Sequence, residues 1–386
     1  MKISRIVWDT PLQYLRTNQP DYPIAFFSPQ ILQDKAREFI DNFPGLVTYA
    51  VKANPDSAVL SNLLATGING FDVASPPEMD QVRALSPNAV LHYNNPVRSN
   101  QEIAHAVKMK VASYSLDSHS ELKKLAAQVP VQNIEIAVRF KLPVKGAAYD
   151  FGTKFGANPK EAAILLSRVN ALGYTPALTF HPGTQCTQPG VWRAYIEAAA
   201  QIANDAGVTI ARLNVGGGFP SHRIAAQEPN LAEKFHEIAG AVAKSFPANP
   251  PKLVCEPGRG IVADAYCLAT RVKAIRDNNA VFLNDGIYGG LSECLVIGPV
   301  DRLDIFCSNG HRRVGKTQPW TVFGPTCDSI DKLNDTQFLP DDLREGDYVI
   351  FHGLGAYSTS LTTRFNGYGI NTIQNVADLK CKSSMA

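Results

Sequence analysis

The stretch LVTYAVKANPD, residues 46–56, decides the fold. A short run rich in β-branched and aromatic residues reads as a buried strand, and its length is too small for a helix. Lys52 follows that run directly, before the turn residues of NPD. Working outward, the same pattern recurs in NGFDVA (69–74), AVLHY (89–93), VASYSL (111–116), IEIAVRF (134–140), PALTFH (176–181), ARLNVG (211–216) and KLVCEP (252–257). Helical patterns fill the gaps. Ser28 caps and Pro29 opens a helix to about Asp41, with Ile31, Leu32, Ala36, Phe39 and Ile40 on one face. Another spans 160–172 and stops at Gly173. Eight alternating units predict an α/β fold, a (β/α)₈ TIM barrel of parallel strands joined by right-handed crossovers.

After residue 260 the texture changes. AYCLATRVKAI, AVFLND, RLDIF, WTVFG and DYVIFHG are separated by Gly, Asn and Pro turns, with weak helical periodicity. This half predicts an antiparallel β-domain, and YPIAFFS (22–28) is an additional strand that could join it. The expected division is a barrel over 27–260 and a β-domain from 1–26 and 261–386. A chain of 386 residues with 45% hydrophobic content fits two such units.

The bulk numbers exclude several classes. A net charge of +2 and no run of five like charges leave no basic footprint for nucleic acid. Seven cysteines form no CxxC and no metal-ligand spacing, so no metal is expected and reduced thiols are. The N-terminus lacks an apolar signal region, and no run approaches the roughly 18 apolar residues of a membrane span. The expectation is a soluble, cytoplasmic protein without a membrane partner.

A barrel of this kind carries its reactive groups where strands end. Lys52, Asp72, Ser75, Asn95, Arg139, His181, Gly216–Gly218, Glu256 and Arg259 all fall there. An isolated strand-end lysine usually snorkels to solvent; one desolvated in a barrel mouth has a lowered pKa and becomes a Schiff-base nucleophile. Three consecutive glycines expose backbone N–H groups to an anion, and a following helix N-terminus would add its dipole. CEPGRG (255–260) sets an acid and an arginine three apart, chemistry suited to a pyridine nitrogen and a phosphate.

Together YAVKANPD, FDVASPPE, NNPVRS, LDSHSEL, KFGA, FHPGTQC, NVGGGFP, CEPGRG, NDGIYGG, GPTCDSID and GAYSTSLTTRFNGY resemble the fold-type III pyridoxal-phosphate enzymes. These form the alanine-racemase-like group. Within it the match is to the ornithine/lysine/arginine and diaminopimelate decarboxylases, nearest the ornithine decarboxylase type. The resemblance implies pyridoxal 5'-phosphate held by Lys52 as a Schiff base, His181 stacked on the ring and Glu256 on the pyridine nitrogen. Gly217, Gly218, Arg259, Thr184 and Tyr357 would hold the phosphate, with Asp72 and Arg139 behind Lys52. It further implies a homodimer in which Cys327 and Asp328 reach the partner's site. There Cys327 would return a proton to Cα after carbon dioxide leaves, and Asp328 would bind the distal ammonium, with Tyr288 and Phe365 lining the substrate.

The resemblance makes decarboxylation of a basic L-amino acid the expected activity, ornithine to putrescine first and lysine or another diamino acid second, in polyamine biosynthesis. An amino-acid racemase and a cofactor-less binding homologue are the competing readings. GPTCD argues against the first, and the retained Lys52 and glycines against the second. Two positions depart from the family. An acid expected some ten residues after NDG falls on Val296 and Ile297, with Glu293 and Asp301 the nearest acids. Asn214 stands before the triglycine where an acid is common.

Overall fold

The structure, a computed structural model, describes residues 2–144, 148, 153–334 and 336–381. Residues 1, 145–147, 149–152, 335 and 382–386 of the sequence-based domain bounds lie outside them. Two strands, β1 (Lys2–Trp8) and β2 (Ile24–Phe27), precede the barrel. Its strands are β3 (Leu46–Ala50), β4 (Gly70–Val73), β5 (Val90–Tyr93), β6 (Ser113–Leu116), β7 (Glu135–Arg139), β8 (Thr175–Thr179), β9 (Arg212–Asn214) and β10 (Lys252–Cys255). They close in the order β10-β3-β4-β5-β6-β7-β8-β9, every neighbour parallel. All eight predicted strands are present, shortened at their ends. Most positions on them are buried, as strands with side chains inside and helices outside require.

Local chemistry sets the helices. Ser99 and Glu102 form a reciprocal capping box at the start of Asn100–Lys108. Asn158 caps Pro159–Ala171 through the Glu161 N–H at 3.0 Å, and Gly173 takes the positive φ of +85° that follows it. Asn230 caps Leu231–Ser245. No helix among the described residues is long and apolar enough to cross a membrane.

The chain divides into two compact units, one of 36–220 with 230–258, the other of 1–35, 221–229 and 259–386. The sequence-based bounds and this division differ at 27–35, 221–229 and 259–260, and 221–229 lies between two barrel strands along the chain. The second unit carries β11 (Tyr266–Arg276), β12 (Ala280–Leu283), β13 (Leu303–Phe306), β14 (Thr317–Phe323), β15 (Gln337–Pro340), β16 (Tyr348–His352) and β17 (Thr372–Val376). They join β1 and β2, so YPIAFFS does enter this sheet. The sheet is mixed rather than wholly antiparallel: β1 with β17, β17 with β2, and β12 with β14 run parallel. Strands brought together from opposite ends of the chain have no hairpin to force an antiparallel pairing.

In the barrel unit, Phe219 follows the triglycine and enters a cluster of buried aromatic rings. Its centroid lies 5.4 Å from Phe39, 5.7 Å from Phe235 and 5.2 Å from Trp192, the last stacked. Phe219 is 1% exposed. Phe219→Ala is expected to cost about 3–5 kcal/mol, read as a lowered urea midpoint at unchanged m-value; a loss below ~1 kcal/mol would show that the cluster collapses to fill the hole.

Candidate active site

Lys52 sits in the single turn Val51–Ala53 that ends β3. Its Nζ lies 3.9 Å from Asp72 Oδ2, on the neighbouring β4. The lysine side chain is 47% exposed, so the chain's own packing does not supply the desolvation expected from the sequence. Asp72 is buried, and burial pushes its carboxyl up against the opposing pull of Lys52, Asn94 and Arg139.

Glu256, one residue past β10, is also buried. Burial, followed by the nearby Asp72 charge, pushes its carboxyl from an ordinary 4.5 up to about 8. Lys52, Asn214 and Arg139 act in the opposite sense. Its Oε1 accepts from Asn94 Nδ2 at 2.5 Å and from the Asn214 amide. Arg139, ending β7, has its guanidinium 5.3 Å from the Phe155 ring centre, and burial lowers its pKa. Two carboxyls, Asp72 and Glu256, and two cations, Lys52 and Arg139, thus lie together at the strand ends of the barrel.

His181 follows β8. Burial, with Lys52 and Arg139, holds its imidazole well below 6.5, so the ring is neutral at pH 7. The Gly183 N–H donates to Nδ1 at 3.1 Å, which places the ring proton on Nε2. The triglycine packs against this segment. A Cβ on Gly217 would lie 2.8 Å from the Glu256 carbonyl oxygen and 3.2 Å from His181 Nε2. Gly218, at φ +83°, would put one 2.3 Å from the Gly183 oxygen. Only glycine permits that approach. The Cys186 N–H donates to the Gly218 oxygen at 2.9 Å, so the loop holding Thr184 is tied to the triglycine. No helix follows the triglycine directly; the next long one begins at Leu231, so the expected dipole is not there.

In the second unit Arg259 is buried and bound by Glu293 through two hydrogen bonds, Nη1 to Oε2 at 2.6 Å and Nη2 to Oε1 at 2.5 Å. Its guanidinium lies 5.2 Å from the ring centre of Tyr357. Tyr357 adopts φ +63°, a strained conformation for a bulky residue and one found at functional positions. Glu293 is therefore committed to an arginine. Asp301 accepts from the Ala225 N–H at 2.6 Å. Val296, at 56% exposure, and Leu295 lie on the apolar turn Cys294–Ile297.

The GPTCDSID loop folds around buried Asp331. That carboxylate accepts from the Ile287 N–H (3.1 Å), the Thr326 N–H (3.0 Å) and the Thr326 hydroxyl (2.7 Å). Gly286 and Gly324 leave it room, since a Cβ on either would come within 2.3 Å of it. The loop presents Cys327 to solvent, its N–H donating to Asn366 Oδ1 at 3.2 Å. Beside it, Tyr288 donates its hydroxyl proton to Asp328 Oδ2 at 2.6 Å, which lowers the Asp328 pKa, and its ring centre lies 4.8 Å from that of Phe365, tilted by 44°. Cys327, Asp328, Tyr288 and Phe365 are thus brought together.

Sequence reasoning missed Asn94, the two hydrogen bonds of the Asn214 amide, and Asp331. It chose Asn95, which instead builds the turn, donating to the Ala74 oxygen and accepting from the Val97 N–H. Strand alternation holds the signal, since Asp72 pairs with His92 and Asn94 follows at an even offset. Among the described residues no group of three or more His, Cys, Asp or Glu is placed to hold a metal.

A lysine beside a buried carboxylate, an acid lifted by burial and a glycine loop that no Cβ could enter lie together at the strand ends of the barrel. Residues 30–263 match the pyridoxal-binding domain model of the pyridoxal-dependent decarboxylases. The chloroplastic ornithine decarboxylase of Nicotiana glutinosa is 31% identical over 92% of this chain and 83% of its own length. The lysine/ornithine decarboxylase of Selenomonas ruminantium is 31% identical over 83% and 81%. The arginine decarboxylase of Paramecium bursaria Chlorella virus superposes with a TM-score of 0.83 at 28% identity, covering 94% of this chain and 98% of that one. The chain belongs to the pyridoxal-dependent decarboxylases, and its cofactor is pyridoxal phosphate.

The raised Glu256 carboxyl has a consequence for stability. A folded-state pKa raised from 4.5 to about 8 gives stabilisation that is full below the unfolded value and is lost as pH rises to about 8. The cofactor-free protein is expected to lose stability over that window, and Glu256→Gln to flatten the loss. Equal slopes in melting temperature against pH for both proteins would refute this.

Proposed function

We propose that this protein decarboxylates a basic L-amino acid, ornithine to putrescine in the first instance, with lysine or another diamino acid as the second choice. The observation that carries this is the loop around Asp331, which sets an exposed thiol, Cys327, next to a carboxylate, Asp328, oriented by Tyr288. When bound, pyridoxal phosphate supplies an electron sink for the pair left as carbon dioxide departs. Lys52 would hold its aldehyde carbon and Glu256 its ring nitrogen. Gly217, Gly218, Thr184, Arg259 and Tyr357 would take the phosphate, and the neutral His181 would lie on the ring face.

Cys327 would hand a proton to Cα, and Asp328 would bind the distal ammonium with Tyr288 and Phe365 alongside. Exposure of Cys327, and of Phe365 at 42%, supports their service in a partner's site within a homodimer. That assembly, and a cytoplasmic role in polyamine synthesis, belong to the same proposal.

A second reading of the substrate rests on the apolar turn Cys294–Ile297 and on the commitments of Glu293 and Asp301 described above. These favour a far end that is longer or modified and meets fewer acids than a bare ornithine ammonium.

Carbon dioxide release from ornithine, lysine, arginine, 2,4-diaminobutyrate and meso-diaminopimelate tests the first reading; no release from any of them rejects it. Asp328→Asn should raise KM for the preferred diamino acid by about tenfold or more with the smaller effect on kcat. Cys327→Ala should lower kcat by about 10²-fold. Mixing Lys52→Ala and Cys327→Ala proteins should restore roughly a quarter of wild-type activity if each site uses both chains. An unrestored mixture of confirmed heterodimers would exclude shared sites.

A further inference from the structure

Asn214 ends β9, the shortest barrel strand, and its backbone lies between Thr179 of β8 and Val254 of β10. Its side chain is nine-tenths buried and uses both ends of its amide. Nδ2 donates to Glu256 Oε1, and Oδ1 accepts from the Gly216 N–H at 2.9 Å. The Glu256 N–H donates to the Gly216 oxygen at 2.9 Å. Three hydrogen bonds therefore close a ring through Asn214, Gly216 and Glu256.

We infer that Asn214 is a positioning residue that fixes the acid meeting the cofactor ring and the glycine loop meeting its phosphate in one geometry. The inference rests on the roles proposed above for Glu256 and the glycines. A carboxamide suits the task because it is donor and acceptor at once and carries no charge. The groups facing Glu256 are Asp72 on β4, Lys52 after β3, Arg139 on β7, Asn94 after β5, Asn214 on β9 and the adjacent Cys255 thiol. Against Lys52 and Arg139 the site already holds two carboxyls, Asp72 and Glu256. A carboxylate at 214 would accept from the Glu256 carboxyl while that acid keeps its proton, and repel it once the proton leaves.

Two variants separate the two ends of the amide. Asn214→Leu keeps the volume and removes both bonds. Asn214→Asp keeps the acceptor for Gly216 but donates to Glu256 only while the acid pair holds a shared proton. The holoenzymes are compared by dissociation constant for pyridoxal phosphate, and by kcat from about pH 6 to about pH 9. Asn214→Leu should bind the cofactor about tenfold or more weakly, because a buried N–H has lost its acceptor. Asn214→Asp should bind within about threefold of wild type, but its kcat relative to wild type should fall as pH rises and the shared proton leaves.

A pH-independent ratio for Asn214→Asp, with unchanged affinity in Asn214→Leu, would overturn the inference. Parallel losses of melting temperature and affinity in both variants, again with a flat ratio, would make Asn214 a packing residue and overturn it too. The affinity measurement needs no substrate, so a wrong choice of amino acid and a wrong role for Asn214 give different results.

Discussion

A carboxyl with no water around it must find donors or keep its proton, and Glu256 is placed so that it does both. Two amides, from Asn94 and Asn214, converge on one of its oxygens. Its backbone is tied to the triglycine, and its pKa rises to about 8. The neighbouring strand ends follow from that demand. Asp72 needs Lys52 and Arg139 to remain tolerable beside it, and the neutral His181 adds no third cation. The strand ends of the barrel are therefore an interdependent cluster of ionisable groups, tied together by hydrogen bonds and close charges.

The second unit solves a related problem by different means. Asp331 is buried as a carboxylate acceptor, and two backbone N–H groups and a hydroxyl satisfy it. The result is a loop whose shape is dictated from within, while Cys327 and Asp328 stand on its outside.

Much of this was legible in the sequence because strand ends are easy to find. Lys52, Asp72, Arg139, His181 and Glu256 each follow or close an apolar run, and the triglycine cannot be mistaken. The misses have physical causes. Asn94 and Asn95 differ by one residue, and only the pleat decides which faces inward. Asn214 stands out in the sequence only as a departure from the family pattern, because a sequence does not show that one amide bridges two elements. Asp331 was lost inside a motif whose reactive members drew attention to themselves. The mixed sheet was unreadable because strands more than 300 residues apart, β1 and β17, lie side by side. The helix expected after the triglycine rests on analogy with other anion sites, whereas this loop packs closely, backbone against backbone, before the next helix begins at Leu231.

Phe219 gives the glycine loop an importance beyond geometry. The residue after the triglycine is anchored in the barrel's aromatic core, so ordering the loop is part of folding rather than part of binding. Folding and cofactor retention are then one linked equilibrium: whatever loosens that core lowers affinity for the vitamin-derived group, and excess of that group pulls the chain back to its folded form. A lesion among Phe39, Trp192, Phe219 and Phe235 would therefore present in a cell as a heightened requirement for vitamin B6, although none of these rings is among the residues proposed to hold it.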